Sequence, residues 1–142
     1  MFFSPAQLER FWLPYLHKWA TAVRDMGLYT ILHSDGDLTK VLDLLAASPL
    51  QALQAIDPIA GMDLAETKRE VGDRLCLCGN VDCGVLHFGP VEKIRDLTRR
   101  TLEVGKPGGR YVLGASNAVF QEMAVEHYDA MMGAWQERGD YE

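Results

Sequence analysis

Short apolar runs alternate with longer amphipathic stretches along most of the chain. Ser4-Pro5 supplies an N-cap followed by a proline at the first helical position, where no amide donor is needed. Leu8, Phe11, Trp12, Tyr15, Leu16, Trp19 and Val23 then recur at spacings of three and four, which predicts a helix with a broad apolar stripe. Pro14 is expected to kink that helix and Gly27 to close it. The run Leu28 to Leu32 reads as a buried strand ending in the polar turn His33-Ser34-Asp35-Gly36-Asp37, with Asp37 as cap of a helix from Leu38 to Ala47. The pattern then repeats. Strands are expected at Ala52 to Ile56, Arg74 to Cys78 and Arg110 to Leu113. Helices are expected from Asp63 to about Val71, from Pro90 onward with Val91, Ile94, Leu97, Thr101 and Leu102 inward, and from Val125 to Glu137. Strands alternating with helices imply right-handed βαβ units and a parallel sheet. The expectation is an α/β fold of four βα units within one domain spanning 1–142.

Each predicted strand ends in small and polar residues: His33 to Gly36, Asp57 to Gly61, Gly79 to Asp82, and Gly114 to Asn117. In parallel α/β folds the loops after the strands share one face, and that face builds the site. The same residue types also make helix caps and tight turns, so both readings stand for each of them. His33 is the exception, because capping does not explain an imidazole there.

Composition narrows the function classes. The chain has 142 residues, 48% apolar and 24% charged, enough to bury a core. Its net charge of −6, with Lys68–Arg69 and Arg99–Arg100 set among acids, argues against binding nucleic acid or an anionic membrane. No run approaches the ~18 apolar residues of a membrane span, and the opening segment lacks the features of a signal peptide. The three cysteines are therefore expected to be reduced, in the cytoplasm. Cys76, Cys78 and Cys83 lack a zinc-ribbon spacing and a fourth ligand, and read as small buried thiols, with Cys78 nearest the site. His17 reads as structural or exposed, and His87 as a loop residue. The stripe of Phe11, Trp12, Tyr15 and Trp19 reads as core, or as interface if the four units stand alone.

The ordered set His33-Ser34-Asp35-Gly36, Ala60-Gly61-Met62-Asp63, Gly79-Asn80-Val81-Asp82-Cys83, Phe88-Gly89-Pro90-Val91-Glu92, Pro107-Gly108-Gly109, Gly114-Ala115-Ser116-Asn117 and Val125-Glu126-His127-Tyr128 resembles the uroporphyrinogen decarboxylase superfamily, from about Ser4 to Tyr141. The resemblance implies the C-terminal half of a (β/α)8 barrel, without the segment in which the decarboxylase holds its tetrapyrrole. The superfamily includes that decarboxylase and methyltransferases that use corrinoid proteins, and the departures here favour methyl transfer. Asp35 stands where zinc-dependent members carry Cys, Ala115 and Ser116 stand where they carry another, and Ser116-Asn117 replaces the decarboxylase's Gly-His-Gly. The implied roles are His33, Asp35 and Asp57 as catalytic groups or zinc ligands, and Asn80, Asp82, Ser116, Asn117 and Glu126 around substrate. A corrinoid protein is an implied partner. A half-barrel has two open edges, which predicts a homodimer or a complex with an N-terminal half. A tetrapyrrole carboxy-lyase and a non-catalytic half-barrel are the rival readings.

Overall fold

The computed structural model describes residues 3–141. Its centre is one four-stranded sheet in the order β1-β2-β3-β4, every neighbouring pair parallel. The strands are β1 (Ile31–Ser34), β2 (Ala52–Ala55), β3 (Cys76–Val81) and β4 (Tyr111–Ala115). Around them lie α1 (Pro5–Phe11), α2 (Leu13–Asp25), α3 (Leu42–Ala46), α4 (Leu64–Val71), α5 (Cys83–Phe88), α6 (Val91–Gly105) and α7 (Val125–Arg138). Sequential strand order with a helical connection at each step is the architecture expected from the alternation of patterns.

Local chemistry sets the ends of these elements. Ser4 caps α1 in a reciprocal box with Gln7. The first helix is two: it breaks at Trp12, and Pro14 sits in the first turn of α2, where its missing N–H costs nothing. Asp37 does not cap a long helix as expected. Its carboxylate accepts from Thr39 N at 2.9 Å, and a 3-10 turn at Thr39–Val41 leads into the five-residue α3. Asp63 caps α4 through Glu66 N at 2.8 Å, as its spacing predicts. β1, β3 and β4 begin and end later than expected, so His33, Asn80 and Ala115 belong to strands rather than turns. His87 lies in α5, a helix absent from the sequence expectation.

The register gives the sheet two chemically different faces. Leu32, Leu53, Leu77 and Tyr111 form one row across it, and the last three are buried beneath the helices. They join Leu42, Leu45, Val71 and Leu102 in the main core. A second cluster under α6 and α7 contains Val81, Leu86, Ile94 and Met131. Arg99 ties α6 to α7 through Glu137 at 3.0 Å. The opposite face carries no helix among the described residues. Phe11, Tyr15 and Trp19 are exposed, and only Leu16 and Ala20 of α2 are buried, so the aromatic stripe is not core. No helix among the described residues is long and apolar enough to cross a membrane.

Candidate active site

Period-two alternation along paired strands sends one register row to one face. His33, Gln54, Cys78 and Val112 form such a row on the uncovered face, with Ile31, Ala52 and Cys76 one step below it and Asn80 and Gly114 one step above. Cys78 is nevertheless buried, and burial first, then the neighbouring Cys76, pushes its thiol up to about 12. It is a protonated packing group at neutral pH rather than a nucleophile.

His33 is the centre of the polar part of this row. Its Nδ1 pairs with Gln54 Oε1, and its Nε2 lies 3.3 Å from Asp35 Oδ1. An oxygen flanks each ring nitrogen, so a proton on Nδ1 can be donated to Gln54 and one on Nε2 to Asp35. Asp35 then stands where it would hold an imidazolium after Nε2 has taken a proton. Gln54 was not among the expected site residues. A lone amide in an apolar run carries no signal until the register places it beside His33.

The other candidates share this end of the sheet, and most have structural partners. Asp57 is buried and accepts from Ile59 N at 3.0 Å, capping the 3-10 turn Pro58–Ala60. Asp82 caps α5 through Val85 N at 3.0 Å. Ser116 is fully buried and accepts from Cys83 N at 3.3 Å, tying β4 to α5. Asn80 donates to Ile56 O at 2.9 Å across to the end of β2. Asn117 is exposed, its carbonyl accepting from Ala118 N at 2.6 Å. Glu126 is exposed in the first turn of α7. His127 Nδ1 pairs with Leu86 O at 2.8 Å, a packing role. An apolar groove of about 390 Å³ runs beside His33, lined by Leu8, Trp12, Leu32 and Leu38.

Zinc takes four positions from protein and substrate. Among the described residues no group of three His, Cys, Asp or Glu side chains is assembled, and Asp57 does not join His33 and Asp35. That pair does not fit a zinc site by itself.

The electrostatics of the two sheet ends differ. The connections after the strands, spanning 34–38, 56–63, 82–90 and 115–124, contain Asp35, Asp37, Asp57, Asp63, Asp82 and Glu122 and no Lys or Arg. The connections before the strands carry Arg74, Lys106 and Arg110, with Asp73 as their one acid.

A parallel sheet with helices on one face and candidate polar groups at its strand ends is the architecture of half of a (β/α)8 barrel. The chain belongs to the family described as uroporphyrinogen decarboxylase (URO-D), whose model matches residues 1–138. It is 35% identical over 108 residues to the chloroplastic uroporphyrinogen decarboxylase of Zea mays, covering 75% of this chain and 25% of that protein. It is 30% identical over 129 residues to the uroporphyrinogen decarboxylase of Trichodesmium erythraeum, covering 89% of this chain and 34% of that protein. The methylcobamide:CoM methyltransferase MtaA of Methanosarcina barkeri is 29% identical over 132 residues, 92% of this chain and 36% of that protein. A solved methyltransferase from Methanosarcina mazei superposes with a TM-score of 0.82 at 27% identity, covering 97% of this chain and 39% of that one. The chain thus spans about a quarter to a third of the length of these curated relatives.

Proposed function

We propose that this chain forms one wall of a barrel site that transfers a methyl group between a small acceptor and a corrinoid carried by a partner protein. The observation that supports this most directly is the pair His33–Gln54 on the uncovered face, set among connections that are acidic and lack Lys and Arg. A tetrapyrrole bearing several carboxylates would meet like charge there, whereas a thiol or a methylated amine would not. The likeness to two methyltransferases over nearly the whole chain agrees with this reading. In it, Nε2 of His33 takes the proton of an acceptor thiol, Asp35 steadies the imidazolium, and Asn80 and Asn117 orient the substrate. Zinc would need donors beyond these residues, and metal analysis of the purified protein would report it.

The second reading, decarboxylation of a porphyrinogen, has the support of the identity to the maize and Trichodesmium enzymes. One assay separates the two. The protein is mixed with methylcobalamin and a thiol, and the cobalamin absorbance is followed. In parallel, a polycarboxylate porphyrin is titrated and its fluorescence read. Methyl transfer that falls roughly 100-fold in His33→Ala supports the proposal. Porphyrin binding without methyl transfer overturns it in favour of the decarboxylase, and neither signal leaves a half-barrel without chemistry of its own.

A further inference from the structure

We propose that Cys76 and Cys78 form a two-coordinate site for a monovalent thiophilic cation, Cu(I), with Arg110 and Lys68 balancing the charge of the complex. The two residues are two apart in β3, so both side chains leave the same face of the strand while Leu77 between them enters the core. Both thiols are free, Cys78 buried and Cys76 partly exposed, and the sulfurs are close enough to act on one another. Two residues of extended chain span about 6.6 Å between Cα atoms, near the upper limit for a disulfide. An ion held between the sulfurs by two bonds of about 2.3 Å each fits that spacing better than a direct sulfur–sulfur bond. The site lies within one strand and needs nothing from the opposite side of the sheet.

Two ligands are too few for zinc, which takes four. His33 shares a register row with Cys78 but lies two strands away, about 10 Å at the spacing of a sheet, and is no third ligand. A monovalent ion with a filled d shell is satisfied by two thiolates in line, and soft sulfur ligands select Cu(I). Binding exchanges two S–H bonds for two Cu–S bonds and releases two protons to solvent. Copper stays monovalent, and the complex carries one negative charge. The protein supplies the opposite charge. Cys76 and Cys78 line one hollow with Arg74 and Arg110, at the start of β3 and β4. Arg74 is already paired with Asp43 at 2.7 Å and Asp73 at 3.6 Å. Arg110 donates to Asp73 O, and Lys68, whose charge is felt at Cys76, donates to Gly109 O. Neither pairs with a carboxylate among the described residues, so both charges can face an anionic complex.

The site stands apart from the methyl-transfer reading, and binding rather than activity tests it. The reduced full chain is titrated without oxygen with Cu(I), supplied as its acetonitrile complex, against the coloured chelator bicinchoninate. Far-UV circular dichroism is the control for folding. Wild type is expected to draw one equivalent of Cu(I) from the chelator, and X-ray absorption to show two sulfur neighbours. Cys76→Ser, at the partly exposed position, and Cys78→Ser are each expected to weaken binding at least about 100-fold, the upper range for loss of an outer partner. Arg110→Gln, which removes a charge and no ligand, is expected to weaken it roughly tenfold. Cys83→Ser is expected to bind as wild type, because that sulfur lies in α5 and accepts from Asn117 N at 3.1 Å. Failure of wild type to take copper from the chelator overturns the proposal, as does uptake unchanged in folded Cys76→Ser. Capture of phenylarsine oxide without uptake of Cu(I) overturns it too, since a neutral arsenical needs the two thiols and not the cations.

Discussion

His33 is half exposed and bonded only through its ring nitrogens, so little of the fold depends on it. Replacing it with Ala is expected to change unfolding free energy by no more than about 0.5 kcal/mol while removing methyl transfer. Gln54→Leu keeps the shape of the neighbour and removes the acceptor for Nδ1. Its expected signature is a fall in kcat of about tenfold with KM nearly unchanged, because the ring loses the partner that orients it and not its contact with substrate. Cys78 answers to pH in the opposite way from an active-site thiol. Its pKa is raised, so the native state keeps a proton that the unfolded chain releases near the usual ~8.5. The resulting stability is complete below that value and is lost as pH climbs towards about 12. Urea titrations at increasing alkaline pH should show a steeper loss in wild type than in Cys78→Ala. At this scale the sequence was half legible. His33 stood out because no turn or cap calls for an imidazole, whereas Asp57 and Asp82 were equally readable as caps, and caps are what they are. Gln54 had no signal of its own, since its meaning comes from the strand beside it.

Among the elements, the contact of α6 with β4 leaves little tolerance. A Cβ on Gly105 would lie 2.6 Å from the Tyr111 ring. That ring cannot swing aside freely, because its hydroxyl donates to Gly79 O and it is buried. Gly105→Ala is therefore expected to cost about 1–3 kcal/mol. Combining it with Tyr111→Leu should cost less than the sum of the two single changes, and a double-mutant cycle by thermal or urea unfolding checks this. The order and type of the longer elements were readable because apolar periodicity switches cleanly between two and three to four along the chain. Their ends were less so. Leu28, Tyr29 and Leu75 are apolar enough to look like strand, yet pairing begins only at Ile31 and Cys76. The six residues of α5 are too few to show a period, and only its cap, Asp82, could have announced it.

For the whole molecule, the count of four βα units was the most informative feature of the sequence, and the uncovered face is its direct physical result. What the sequence did not disclose is that Phe11, Tyr15 and Trp19 stay exposed once α1 and α2 have docked. If further protein pairs with the open sheet edges, backbone amides of β1 and β4 should exchange hydrogen more slowly in that assembly than in this chain alone, while those of β2 and β3, already paired on both sides, should not change.

The short first helix buries none of its residues and is joined to the next through the break at Trp12. It leans on the rest of the molecule mainly through Leu8. A protease added sparingly should therefore cut early at this joint, as it should in the exposed connection 117–122, leaving the packed core intact. The rate of that first cut becomes a label-free clock for assembly, slow when neighbouring protein shields the hinge and fast when the chain is alone.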